Sequence, residues 1–240
     1  MVLKAVIFDF DGVIYPSPHF VYLARKKFFK QYNVLFTKDE FKKYLASGTP
    51  TFIEDMNKKY KLNVNLEEMR SFTRPEYKKL IKNRYVPNPK IKELLLDLKK
   101  NKIKFGIASS NRGDVISYDL SKLGLRKYFE KIIAYEDVIN HKPAPDVYLK
   151  LIKELHVSSK DCVGIEDGLE GIIGMKKAGI KTIGIVTEFT TLTDFQKAKA
   201  DLIIKSTRNL NINIIKNLID NNLVTEKKKL TKKNKWINYD

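Results

Sequence analysis

The sequence predicts an α/β fold: a doubly wound parallel sheet with an α-helical cap domain inserted after its first strand. Three observations carry this. Val6-Ile7-Phe8 is an apolar, partly β-branched run near the start, which suits a strand buried on both faces. From Tyr85 onward, short apolar runs alternate with longer segments patterned as helices, the order expected of strands joined by crossover helices. Between them, from His19 to about Asn83, apolar residues recur at helical spacing and no strand pattern is present. The expected organisation is a core from residues 1–17 and 84–223, a helical cap over 18–83 and a basic tail over 224–240.

The elements follow in order. If the first strand stays extended past Phe8, Asp9 and Asp11 point to one side and Phe8 and Phe10 to the other. Gly12 then permits a sharp turn, and Val13 to Pro18 reads as a proline-stiffened linker. In the insert, Val21, Tyr22, Phe28, Phe29 and Tyr32 mark one helix, and Phe41, Tyr44 and Leu45 a second. Phe52, Ile53, Met56 and Tyr60 mark a third, and Leu66, Met69, Phe72, Tyr77, Leu80 and Ile81 a fourth. Ser47-Gly48-Thr49-Pro50 separates the second from the third. Asn88 and Pro89 predict the cap and first residue of a helix carrying Ile91, Leu94, Leu95 and Leu98. A second strand is expected over Ile103 to Ala108, then a helix from Gly113 to Leu123 closed by Gly124. Ile132 to Ala134, Cys162 to Ile165, Thr182 to Val186 and Leu202 to Ile204 are the remaining strands. Helices are expected over Pro145 to His156, up to Gly179, and from Leu210 to Leu223.

At 240 residues the chain has ample length for a real core. Its 46 Lys and Arg against 28 Asp and Glu give a net charge of +18, which favours anionic partners without specifying a fold. Cys162 is the only cysteine, so no intrachain disulfide forms, and a reducing cytoplasm is the expected location. No apolar run approaches a membrane span. The Lys-rich segment from Glu226 to Trp236 reads as a solvated tail rather than a nucleic-acid or membrane anchor. A monomer is expected.

In a parallel sheet, ligands sit beyond the carboxyl ends of the strands. The first strand ends in Asp9 and Asp11, and the second in Ser109-Ser110-Asn111 ahead of a helix N-terminus suited to phosphate. His141-Lys142-Pro143-Ala144-Pro145-Asp146 is a stiff loop carrying an ammonium, and the fourth strand ends in Glu166-Asp167-Gly168. Taken alone, an Asp-x-Asp-Gly segment is equally a solvated strand end. Together the loops supply carboxylates for a hard cation such as Mg²⁺ and for covalent attack, and donors for a phosphate.

These motifs resemble those of the haloacid dehalogenase superfamily, in its branch of phosphatases and β-phosphoglucomutases with a helical cap. The resemblance spans about residues 2 to 220 and rests on Phe8-Asp9-Phe10-Asp11-Gly12, Ala108-Ser109-Ser110-Asn111, Lys142-Pro143-Ala144-Pro145-Asp146 and Gly164-Ile165-Glu166-Asp167-Gly168. It implies a Rossmann-like core in which Asp9 forms an aspartyl-phosphate. It also implies that Asp11 protonates the leaving oxygen and then activates water, while its backbone carbonyl helps hold Mg²⁺. Ser109 and Lys142 are expected to grip the phosphoryl group. Asp9, Asp11, Glu166 and Asp167 are the expected metal ligands. Ser17, Gly48, Ser110, Asn111 and Arg112 are the expected substrate contacts.

The chain departs at two places from the proteins of that branch it resembles. Pro16 stands where they usually carry an acidic residue, with Ser17 at the following hydroxyl position. Thr51 stands where sugar-phosphate mutases resemble one another in carrying Arg, whereas Arg112 matches a cationic position used for a second phosphate. A mutase must hold a non-reacting phosphate, which calls for a bidentate cation. The expected activity is therefore hydrolysis of a small phosphomonoester of sugar-phosphate or phosphoglycolate type. The alternatives are a β-phosphoglucomutase-like phosphomutase and a nucleic-acid-binding protein that uses the basic surface.

Overall fold

The computed structural model describes residues 2–43 and 49–220. Six parallel strands form one sheet in the order β3-β2-β1-β4-β5-β6. They are β1 (Ala5–Phe8), β2 (Lys104–Ala108), β3 (Ile132–Ile133), β4 (Cys162–Glu166), β5 (Lys181–Ile185) and β6 (Leu202–Ile204). Four helices follow β1, namely α1 (Ser17–Lys30), α2 (Lys38–Lys43), α3 (Thr49–Tyr60) and α4 (Leu66–Ile81). The crossovers use α5 (Ile91–Lys100), α6 (Gly113–Lys122), α7 (Asp146–Leu155), α8 (Leu169–Lys177) and α9 (Leu192–Lys197), and α10 (Ile212–Ile219) closes the described chain. Among the described residues no helix is long and apolar enough to cross a membrane.

Side-chain alternation along β1 divides the core in two. Val6 and Phe8 pack on one face with Leu94, Leu95, Ile116 and Ile215, so α5, α6 and α10 cover that side. Ala5 and Ile7 pack on the other with Tyr148, Leu151 and Met175 from α7 and α8. Every residue of β1 is buried, as its unbroken apolar run requires. Fully burying side chains of this size stabilises by about 1.5–3 kcal/mol each, so the strand that carries the site is anchored from both faces.

The inserted helices have a hydrophobic core of their own, built on Phe28, Phe29, Phe36, Phe41, Phe52, Met56 and Met69. One outsider joins it: Phe189, from the loop after β5, whose ring lies 4.8 Å from Phe41 and 5.7 Å from Tyr22. Ion pairs flank this insertion. Glu188 binds both His19 and Lys38, and Asp194 binds Lys42.

Two local expectations are corrected. Asn88 is not a helix cap; α5 starts at Ile91 after Lys90, which adopts a left-handed φ of 67°. The Asn88 amide instead donates to the carbonyl oxygens of Gly12 (2.7 Å) and Val13 (2.9 Å). The stretch Val13 to Pro18 is not a bare linker either, because Ile14 and Tyr15 are buried, Tyr15 bridges to Asp11, and α1 already begins at Ser17. Gly124 does close α6 in a left-handed conformation, with Leu125 N–H bonded back to Leu120. Tyr44, Leu45, Gly48 and the tail 224–240 lie outside the described residues.

Candidate active site

The site forms where strand order reverses, between β1 and β4. Asp9 N–H donates to Ile165 O at 3.0 Å, continuing the ladder one step past Phe8 and holding the Asp9 carboxylate at the strand ends. Lys142, from the loop before α7, places Nζ 2.6 Å from Asp9 Oδ1 and 2.9 Å from Glu166 Oε2. All three side chains are buried. The other Glu166 oxygen accepts the N–H groups of Gly168 (3.0 Å) and Asp167 (3.2 Å). Glu166 is thereby locked, and it fixes Lys142 in turn.

Two glycines make room for the carboxylates. A Cβ on Gly171 would stand 1.8 Å from Glu166 Oε2. One on Gly12 would stand 1.8 Å from Asp167 Oδ2, and Gly12 also has a φ of 83°, which side chains rarely adopt.

Asp11 is braced from two directions. The Ser17 hydroxyl donates to Oδ1, and the Asn111 amide donates to Oδ2 at 3.1 Å. Asn111 is itself positioned by its N–H, which donates to Ser109 Oγ at 3.1 Å. Ser17 and Asn111, expected as substrate contacts, therefore act first on Asp11. Ser109 is buried at the end of β2, and both it and the exposed Ser110 border the cavity. Arg112 is not brought in. Its side chain is 70% exposed and its guanidinium forks onto Asp114, at 3.0 Å for each pair of atoms. Two residues of separation put that carboxylate within easier reach than the cavity. Gly48 lies outside the described residues.

So many buried carboxylates strain the site's charge balance. Burial first, and then the charge of Glu166, push Asp9 up to about 8 against the pull of Lys142. Asp167 is driven well above the usual carboxylate range by burial and by Glu166, Asp9 and Asp11. Burial raises Asp11 too, although its bonds from Ser17 and Asn111 work the other way. Burial disfavours a charged Lys142, yet Asp9 and Glu166 outweigh it and hold the ammonium well above its ordinary pKa. One ammonium is outnumbered by these acids. Oxygens of Asp9, Glu166 and Asp167 lie within 4.8 Å of one another, a donor set that fits a hard divalent cation. The Asp11 side chain is not part of that group.

The cavity above these residues encloses about 490 Å³, the scale of a small-molecule site. Its floor is the carboxylate and lysine cluster. The opposite side comes from the inserted helices, through Pro18, Val21, Arg25, Phe41 and Lys42, joined by Thr190 of the loop after β5. Sequence reasoning missed Arg25, Lys42, Glu170 and Thr190. Arg25 carried a signal: it interrupts the aromatic stripe of α1, three and four residues from Val21, Tyr22, Phe28 and Phe29. The loop after β5 carried another, since it too follows the carboxyl end of a strand.

Comparison with known proteins agrees with this geometry. Residues 6–185 match a family model described as haloacid dehalogenase-like hydrolase. The chain is 30% identical over 222 residues to β-phosphoglucomutase of Bacillus subtilis, covering 89% of this chain and 94% of that protein. It is 27% identical over 215 residues to a phosphorylated carbohydrates phosphatase of Thermotoga maritima, covering 88% and 98%. A solved haloacid dehalogenase-type hydrolase from Entamoeba histolytica superposes with a TM-score of 0.76 at 28% identity, over 91% of this chain and all of that one. Strand order, strand-end carboxylates and sequence kinship converge: the chain belongs to the haloacid dehalogenase-like hydrolases and is an enzyme of the phosphatase and phosphomutase type.

Proposed function

We propose that the protein is a Mg²⁺-dependent phosphatase that hydrolyses a small phosphomonoester through an aspartyl-phosphate on Asp9. The observation that carries this is Lys142 bridging Asp9 and Glu166 beside an Asp11 braced by Ser17 and Asn111. Asp9, Asp11, Ser109 and Lys142 differ in what they can do. Asp9 sits at the strand end with its Oδ1 on Lys142, leaving Oδ2 for in-line attack on phosphorus. As the P–O bond of the ester breaks, Asp11, whose pKa is raised, gives its proton to the leaving alkoxide. Asp11 then takes a proton from water, the water oxygen attacks phosphorus, and phosphate leaves with Asp9 restored. Ser109 and Lys142 hold the phosphoryl oxygens throughout.

Asp9, Glu166 and Asp167, with the Asp11 carbonyl, are the groups that would hold Mg²⁺, which when bound offsets the negative charge of carboxylates and phosphate. The unit of residues 18–83 serves as the cap that excludes bulk water from the core of 1–17 and 84–223. We place the enzyme in the cytoplasm as a monomer acting on a phosphorylated metabolite.

A phosphomutase is the second reading, favoured by the identity to the Bacillus subtilis enzyme. Against it stand Thr51, which is exposed and uncharged on α3, and Arg112, which is turned onto Asp114. Phosphate release from a panel of phosphomonoesters, with Mg²⁺ or EDTA, tests the proposal in the wild type and in Asp9→Asn. Metal-dependent release that vanishes in Asp9→Asn is expected. Isomerisation of glucose 1-phosphate in the presence of a bisphosphate, without release, would establish the mutase instead.

A further inference from the structure

The cavity wall opposite the carboxylates holds a cation that no carboxylate among the described residues neutralises. Three described cations border the cavity. Lys142 is bound to Asp9 and Glu166, and Lys42 to Asp194. Arg25 has no carboxylate and no hydrogen-bond acceptor among the described residues. Its guanidinium instead lies over two aromatic rings, 4.5 Å from the centroid of Phe52 and 5.5 Å from that of Phe41. Burial alone acts on its pKa, lowering it to about 10, so it stays charged at neutral pH.

A charge on an aromatic bed is held in place but not neutralised. Cation–π contact contributes only ~0.5–2 kcal/mol and leaves the five N–H donors of the guanidinium open. Arg25 is half-buried at the cavity wall, so a ligand that fills the cavity displaces the water on these donors, and an acceptor carried by that ligand offsets the loss. The planar fork of Arg suits a carboxylate or a phosphate better than a neutral hydroxyl.

We infer that Arg25 is an anion-binding residue of this cavity, so that the substrate is a phosphomonoester with a second oxyanion, carboxylate or phosphate, at the end away from the reacting phosphorus. The inference rests on the phosphomonoester reading for the identity of the substrate, but it assigns a site of its own. Asp9 and Lys142 take the reacting phosphate at the floor, and Arg25 takes the far anion from the opposite wall. Neutral sugar monophosphates cover Arg25 without giving it a partner and are discriminated against for that reason.

The test does not need turnover. Calorimetric titration of the full chain with Mg²⁺ uses non-hydrolysable ω-phosphonocarboxylates of increasing length, each against the alkyl phosphonate of equal length. Bisphosphonates of the same lengths tell a carboxylate from a phosphate. At one length the doubly anionic ligand is expected to bind about 10- to 100-fold more tightly than its alkyl partner. Arg25→Met should erase that advantage, and Arg25→Lys, which keeps the charge but not the fork, should retain part of it. An advantage that survives Arg25→Met overturns the inference, as does equal binding of charged and alkyl ligands at every length or no binding of any phosphonate. Should Arg25→Met fail to fold, by its melting curve, full retention of the advantage in Arg25→Lys overturns the forked contact. Phosphate release is measured separately: discrimination among phosphonates without ester hydrolysis refutes the hydrolase reading and leaves Arg25 in place.

Discussion

Asp119 on α6 is a buried acid that takes no part in the proposed chemistry, and it makes a stability prediction that can be worked through with its sign. It is 4% exposed, and the Tyr85 hydroxyl stands 3.5 Å away. Burial first, then the charge of Asp11, push its carboxyl up from 3.8 to about 6. The folded state therefore binds this proton more tightly than the unfolded chain does. Below the unfolded pKa both states are protonated and no penalty exists. As pH rises from about 4 through about 6, the folded state is progressively disfavoured, and above that range the penalty is complete. The shift corresponds to about 3 kcal/mol at pH 8 and about 1 kcal/mol at pH 4.5. Asp119→Asn keeps the shape and removes the titration. Whatever baseline the amide brings, its stability relative to wild type should improve by about 2 kcal/mol between pH 4.5 and pH 8. For a chain of this length that amounts to a relative gain of roughly 4–8 °C in melting temperature. Thermal melts of both proteins across that range measure it. A difference independent of pH, or one that turns against Asn as pH rises, would show that Asp119 is comfortably ionised and refute the reasoning.

Other perturbations probe the remaining parts. Gly171→Ala places a methyl 1.8 Å from Glu166 Oε2, so Glu166 must move and release Lys142; turnover should fall by at least about 100-fold while circular dichroism stays native. Phe189→Ala removes the core side chain buried among the inserted helices, and should cost about 3–5 kcal/mol of stability; a change under about 1 kcal/mol would show that the loop after β5 does not anchor those helices. Mg²⁺ binding should release protons near neutral pH, because Asp9 and Asp167 carry raised pKa values that a cation reverses. Titration in two buffers of different ionisation enthalpy reads this directly, and the apparent Mg²⁺ affinity should rise from pH 6 to pH 8.

How much of this was legible in the chain follows from the range over which each feature is determined. The floor of the site is local. Asp9 and Asp11 follow an apolar run, Ser109 and Glu166 follow others, and a parallel sheet brings all such strand ends to one edge. Once the strands were read, the carboxylates had to meet. Lys142 was legible for a weaker reason, as the cation in a proline-stiffened loop between two of those strands. Asn88 was misread because its sequence setting suits a helix cap, whereas its amide is used across 76 positions on the turn at Gly12. Arg112 does not border the cavity because Asp114, in the first turn of α6, is a nearby carboxylate that wins a flexible guanidinium. The upper wall is a different kind of object. Arg25, Phe41 and Thr190 belong to α1, to α2 and to the loop after β5, and nothing in any one stretch says that they face a common space. Their meeting depends on how the helical unit sits on the sheet, which Phe189 and the pairs at Glu188 and Asp194 determine. The phosphoryl chemistry is thus written at strand ends, where a short motif suffices. The upper wall is written in the docking of two cores, so its traces before the fold was known were an arginine in an aromatic stripe and a loop that follows a strand end.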